Sequence, residues 1–312
     1  MRHSAMTSKE RVKRAVTFTR PDRLPLFCFN ADFHESDLLL AGVVHHFMGE
    51  KWDTSEFGYT WERLDGTMGH PVLKGAYIIP DPAAEWRFAH AAAMMKEYGP
   101  DKYYMAGLGL SGFTLMTILH GFEDTLAGLY TDPETARRNA DEIFNFEEAV
   151  IRNCAGRGFS AVQFSDDWGT QNNLFISAEK WREFFKPRYK RQFDLCHALG
   201  LDVYFHCCGQ IHEIIADFVE IGVDILNLSQ PNVFDIERLG REFGGKVCFA
   251  CPVSYQTTSL SGTREEIYSD VKRLKDNLGN RGGGLIGYVE EYKSIGLSDE
   301  NYRHCKAAFM NC

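Results

Sequence analysis

From about residue 100 the chain alternates between short apolar runs and longer amphipathic ones, and this rhythm restricts the folds open to it. The apolar runs read as strands at 103–109, 160–167, 202–208, 224–230, 246–252 and 284–290. Helical segments fall between them at 114–129, 133–157, 177–199, 210–221, 234–243 and 263–279. Strands separated each time by a helix pair in parallel, and the resulting sheet is covered by those helices. A further strand is expected at 23–30, after an amphipathic helix at 7–19 that Ser8 or Thr7 caps and Arg20-Pro21-Asp22 ends, because the residue before proline avoids the helical region. An eighth is expected within 31–100, where the glycine-punctuated stretch Phe57-Gly58-Tyr59-Thr60-Trp61 otherwise reads as hairpin and loop. The expectation is an α/β protein, a closed (β/α)8 TIM barrel forming one domain over 1–312, with 31–100 as an irregular insertion or lid. No glycine-rich phosphate fingerprint follows the first strand, and Gly282-Gly283-Gly284 precedes a strand instead of opening a helix.

At 312 residues and 44% hydrophobic, the chain can bury a sizeable core. Its formal charge of −9 disfavours nucleic acid, which requires clustered Lys and Arg on one face, and the cluster Lys186, Arg188, Lys190 and Arg191 reads as a solvated helix face. No run approaches the roughly 18 apolar residues of a membrane span, and the N-terminus lacks the apolar centre of a secretory signal. Nine cysteines without compact spacing point to reduced thiols rather than a disulfide framework. A cytoplasmic protein without membrane or nucleic-acid partners is therefore expected; a homodimer is compatible with the sequence.

Barrel sites form at the C-terminal strand ends. Those ends read Ser165-Asp166-Asp167-Trp168, His206-Cys207-Cys208-Gly209, Asn227-Leu228-Ser229-Gln230, Cys251-Pro252 and Glu290-Glu291-Tyr292. Alternation along a strand puts His206 and Cys208 on one face and Cys207 on the other, so an imidazole and a thiol form a two-pronged ligand suited to zinc. Cys207 reads as packing. Asp166 and Asp167 are candidate catalytic carboxylates that position substrate or hold a proton, with a helix cap as the alternative. Asn227 and Gln230 are candidate pocket liners, and Phe29 and Trp61 candidate walls of an aromatic substrate site. Cys251, at another strand end, is a candidate further zinc ligand.

Several stretches, taken together, resemble the uroporphyrinogen decarboxylase superfamily, and within it the corrinoid-dependent methyltransferases. They are Pro21-Asp22-Arg23-Leu24-Pro25, Phe164-Ser165-Asp166-Asp167-Trp168-Gly169-Thr170-Gln171, Ile176-Ser177 through Lys186-Pro187-Arg188-Tyr189-Lys190, His206-Cys207-Cys208-Gly209, Glu220 through Asn227, Gly262 through Ile267 and Glu300-Asn301. In the decarboxylases the first strand leads into an arginine-rich loop that holds the tetrapyrrole carboxylates. This chain has Cys28-Phe29-Asn30-Ala31-Asp32-Phe33-His34 there, without arginine, which disfavours uroporphyrinogen as substrate.

The resemblance implies zinc held by the His206 and Cys208 pair and by a third ligand after the last strand, commonly Cys or His in the methyltransferases. Glu291 falls at that position here, with Glu290 beside it and Cys251 as backups. A carboxylate in place of a thiolate leaves the ion more electrophilic and suits oxygen chemistry. The implied activity is methyl transfer from a methoxylated, aromatic donor to the Co(I) of cobalamin on a separate corrinoid protein, the first step of O-demethylation. The alternatives are a methylcobamide:thiol methyltransferase of the coenzyme M type, for which a Cys251 ligand would argue, uroporphyrinogen decarboxylation, and a non-catalytic metal- or corrinoid-binding barrel.

Overall fold

The computed structural model describes residues 6–63, 69–290 and 296–312. Eight parallel strands form the expected (β/α)8 barrel: β1 (Leu26–Phe29), β2 (Leu38–Gly42), β5 (Tyr103–Leu110), β6 (Ala161–Ser165), β7 (Asp202–Cys207), β8 (Ile225–Leu228), β9 (Cys248–Cys251) and β10 (Leu285–Glu290), while β3 (Thr60–Glu62) and β4 (His70–Val72) make a separate hairpin. Around the barrel the order is β1-β10-β9-β8-β7-β6-β5-β2. Side chains alternate as the pleat requires. Phe27, Tyr103, Met105, Tyr204, Ile286 and Tyr288 fill the interior, and Phe205, Cys207, Leu228 and Cys251 face the surrounding helices.

The circle closes between β1 and β2 through one backbone bond and the side chains of Ser36 and Asp37, not a strand ladder. The Asp37 amide donates to Leu26 O (2.7 Å), and Ser36 Oγ accepts from the Cys28 amide (2.9 Å). The Asp37 carboxylate, 1% exposed, accepts from the Leu26 amide (2.9 Å), Arg11 Nη1 (2.7 Å), Arg23 Nη1 (2.7 Å) and Ser8 Oγ (2.8 Å). The same Arg11 belongs to the helix Ser8–Val16, whose Val12 and Ala15 plug the N-terminal end of the barrel. With that end sealed, the opposite mouth is left for a site.

The eighth strand lies at Leu38–Gly42, and the aromatic stretch does form a hairpin, so both expectations for residues 31–100 hold there. That region also contains the helix Ala89–Tyr98, which its run of alanines, without a sharp apolar stripe, did not announce. His46 ties the segment before the hairpin to the barrel, bonding Tyr59 OH (2.8 Å) and Leu108 O (2.9 Å), and a buried Arg87–Glu56 pair holds it from the other side. Two expected helices are each divided. Gly121, at φ +85°, separates Gly112–His120 from Phe122–Thr131, and a turn at Phe185 separates Ala178–Phe184 from Lys186–Ala198, where Pro187 sits in the first turn and needs no donor. A last helix, Asp299–Met310, capped by Ser298, lies beyond the expected elements. No helix of the described residues is long and apolar enough to cross a membrane.

Removing the Asp37 carboxylate takes the acceptor from the Leu26 amide, Arg11 Nη1 and Arg23 Nη1 inside the seam, while Arg11 Nε keeps Asp22 (2.6 Å). Asp37→Ala is expected to cost about 3–5 kcal/mol, the usual penalty for breaking a buried ion pair on one side, read from urea unfolding; a loss below about 1 kcal/mol would show that the seam closes without it.

Candidate metal centre

Parallel register brings Ser165, His206 and Asn227 level across β6, β7 and β8. The three inward side chains therefore meet at the C-terminal mouth. Asn227, 1% exposed, donates its Nδ2 to Ala250 O (2.7 Å), which turns its Oδ1 toward His206 Nδ1 at 2.7 Å. An amide oxygen accepts only, so Nδ1 carries the hydrogen and Nε2 keeps a free lone pair. Ser229 Oγ lies 3.2 Å from the same Nδ1. Nε2 faces Cys208 Sγ at 3.7 Å and Asp167 Oδ1 at 3.8 Å.

Asp167, His206 and Cys208 thus offer one oxygen, one nitrogen and one sulfur, all within 4.8 Å of one another. Zinc bonds of about 2.0 Å to nitrogen and about 2.3 Å to sulfur at tetrahedral angles place those two atoms about 3.5 Å apart, close to the separation here. The donor set fits the ion. Burial, reinforced by the Asp167 charge, pushes the Cys208 thiol well above its ordinary pKa, a state that a bound divalent cation would reverse. The His206 side chain is 21% exposed and that of Asp167 45%, so the cluster is reachable from solvent.

The loop carrying Cys208 is fixed at several points. The Cys208 amide donates to Asp167 Oδ1 (2.9 Å), the Gly209 amide to Gln230 Oε1 (2.8 Å) and the Gln210 amide to Thr170 O (2.7 Å). Gly209 has φ +80°, and a Cβ there would collide with the carbonyl of Gly169. Only glycine permits this close approach of two loops.

The two aspartates separate. Asp167 joins the cluster, whereas Asp166 is fully buried and accepts from the Phe113 amide (2.8 Å), the Thr114 amide (2.7 Å), Thr114 Oγ (2.8 Å) and the Tyr189 hydroxyl. Asp166 occupies the capping place, at the start of the helix Gly112–His120, and burial raises its carboxyl pKa. Asn227 and Gln230 reach the centre by orienting His206 and the Cys208 loop. Phe29 points into the mouth beside Tyr288, with ring centres 6.1 Å apart. Trp61 packs on Phe47 at 5.3 Å in the hairpin region. Glu290 also turns inward, accepting from Tyr288 OH (2.6 Å), and stands outside the three-residue group. Cys251 faces the helical layer, fully buried, with its thiol pushed up to about 12 by burial, so a second sulfur from β9 does not join the group. Glu291 lies outside the described residues.

Sequence reasoning did not single out Ser229 or Tyr255 as contributors. Tyr255 is held by Gln230 and has its hydroxyl pushed up to about 12 by burial, with Cys208 adding to the shift. Ser229 could have been found by the same two-residue alternation that picks out Asn227.

Behind Asp166, the buried Glu147 accepts from the Gly112 amide (2.7 Å) and Gln192 Nε2 (2.7 Å), and burial pushes its carboxyl up to about 7. A raised carboxyl means the folded state keeps a proton that the unfolded chain releases. Its contribution is therefore full below about pH 4.5 and is lost as pH rises toward 7, by about 3 kcal/mol. Glu147→Gln is expected to remove this part of the slope and to raise the unfolding temperature near pH 8, measured by calorimetry across pH 5 to 8; an unchanged slope would refute the assignment. Gly209→Ala is expected to displace the Cys208 loop and lower zinc affinity at least tenfold, read by competition with a chromophoric chelator.

The uroporphyrinogen decarboxylase (URO-D) family model matches residues 79–287 of the 312. Among solved structures, a methyltransferase from Methanosarcina mazei superimposes with a TM-score of 0.72 at 14% identity, covering 97% of this chain and 98% of that one. A 3-keto-D-glucoside 4-epimerase from E. coli gives 0.46 at 15% identity, covering 73% and 85%, and the YdhT protein from Bacillus subtilis 0.48 at 9%, covering 96% and 92%. No curated protein matches the chain. At 14% identity the Methanosarcina mazei structure speaks for the barrel alone, while the family model spans the helix Ala89–Tyr98 through the first half of β10, including the strand ends at Asp167, His206 and Cys208. By that match the chain belongs to the uroporphyrinogen decarboxylase family.

Proposed function

We propose that the protein is a zinc-dependent methyltransferase that moves a methyl group from a methoxylated, aromatic compound to the Co(I) of a corrinoid protein docked over the barrel mouth. The observation that carries this reading is the convergence of His206 Nε2, Cys208 Sγ and an Asp167 oxygen within 4.8 Å, with Asn227 holding the imidazole in the ligating tautomer. His206, Cys208 and Glu291 are the proposed zinc ligands, and Asp167 lies within reach of the same ion. When bound, zinc supplies Lewis acidity at the mouth.

The residues themselves bind and orient. Asn227 and Ser229 fix the His206 ring, and Gln230 with Gly209 fixes the Cys208 loop. Outer partners of this kind commonly account for 10–100-fold in metal affinity. Phe29 and Tyr288 supply aromatic surface at the mouth for a flat donor. The departing oxygen keeps the electron pair of the broken C–O bond as the methyl carbon passes to cobalt.

Two features argue against the competing activities. The segment from Phe29 to Asp37 contains no arginine, and its Asp32 is paired with Lys306 (2.6 Å), so it offers no cradle for a polycarboxylate tetrapyrrole. Cys208 is the one sulfur in the described group, which favours an oxygen substrate over the thiol chemistry that a Cys251 ligand would support.

The zinc-loaded protein is expected to hold one equivalent of metal, with a single sulfur neighbour by X-ray absorption. His206→Ala should lose the metal and the methylation of cob(I)alamin, followed by its visible spectrum. Asn227→Ala should weaken zinc binding 10–100-fold without abolishing the site. Full metal content and transfer in His206→Ala, or two sulfur neighbours, would refute the assignment.

A further inference from the structure

We infer that the barrel mouth selects a methyl donor that gives hydrogen bonds and carries no negative charge, a hydroxylated methoxyarene rather than a methoxybenzoate. This inference rests on the methyltransferase reading above. The walls facing the cluster are rich in acceptors. Glu290, at the inward end of β10, has its carboxylate fixed by Tyr288 OH (2.6 Å), and Asp167 stands on the β6 side. Among the described residues neither carboxylate is bonded to a lysine or arginine.

A second observation is independent of these charges. Gln163 and Tyr204 lie level on β6 and β7, one inward position below Ser165 and His206. They are 6% and 1% exposed, yet Gln163 Oε1 and the Tyr204 hydroxyl have no hydrogen-bond partner. The Gln163 amide is held under the mouth by its Nε2, which donates toward Ser165 Oγ (3.3 Å). Buried polar groups without partners are rare, and at a binding site they mark places that a ligand satisfies. An acceptor oxygen and a phenol hydroxyl at the same level on neighbouring strands suit a substrate hydroxyl, which donates to the first and accepts from the second. A carboxylate would bring a further acceptor against Glu290, which among the described residues is bonded to no lysine or arginine.

Zinc-loaded protein is titrated calorimetrically with matched pairs: methyl 4-methoxybenzoate against 4-methoxybenzoate, 4-methoxyphenol against 1,4-dimethoxybenzene, and 2-mercaptoethanol against 2-mercaptoethanesulfonate. A unit charge roughly 8 Å from another at an effective dielectric of about 20 is worth roughly thirtyfold. The ester is expected to bind about thirtyfold tighter than the acid, with the gap narrowing about tenfold in Glu290→Gln. The phenol is expected to bind more tightly than the dimethyl ether, with that preference lost in Tyr204→Phe. Acid and ester binding equally, or a gap unchanged in a folded Glu290→Gln, overturns the inference; if that variant does not fold, the wild-type pair decides. Binding of thiols but not ethers overturns the proposed donor, and the neutral thiol must then still exceed the sulfonate for the charge selection to stand. Binding of no member overturns both.

Discussion

The barrel depends on a buried carboxylate at its seam. Seven of the eight strand junctions are ordinary parallel ladders, but β1 and β2 are joined through Ser36 and Asp37. Asp37 links three things at once: the β1 backbone, Arg23 just before it and Arg11 of the helix that plugs the floor. A carboxylate removed from water is tolerable only with such a full set of donors. Because one group serves both closure and plugging, the N-terminal end is sealed and the strands' other ends converge on a single open mouth.

At that mouth, function follows from register. Ser165, His206 and Asn227 are level because the two parallel ladders joining β6, β7 and β8 run without a slip. A slip of one residue would turn each side chain to the opposite face. The level arrangement lets a fully buried asparagine set the histidine tautomer, and lets a strand-end backbone amide turn Asp167 toward the thiol. The loops above are equally constrained. Gly209 and Gly169 pass at backbone contact, so the Cys208 loop has little room to shift.

The electrostatic balance of the site is uneven in an informative way. Carboxylates, thiol and amide oxygens gather at one mouth, while Arg11 and Arg23 are engaged at the seam, Lys13 at the barrel floor, and Arg182 and Arg188 on the outer helices. The proposed divalent cation and uncharged donor follow from this arrangement.

Much of this was legible in the residues. The alternation of apolar strands and amphipathic helices determined the barrel, because parallel strands joined by helices have few ways to bury both faces. Period-two spacing determined that His206 and Cys208 share a face, and that Cys207 turns to the helices. The breaks at Gly121 and Phe185 were written in the glycine and in the Lys186-Pro187 that follows, though they were obscured by continuous amphipathicity. What the chain could not disclose is which distant residues meet. The division of labour between Asp166 and Asp167 depends on the start of a helix about fifty residues away, whose amides claim the first and leave the second for the cluster. Cys251 is level with the other strand ends in sequence, yet the pleat of β9 turns it outward. Local pattern determined the elements and their inward faces; only the closed barrel, through register and long-range hydrogen bonding, decided which side chains converge.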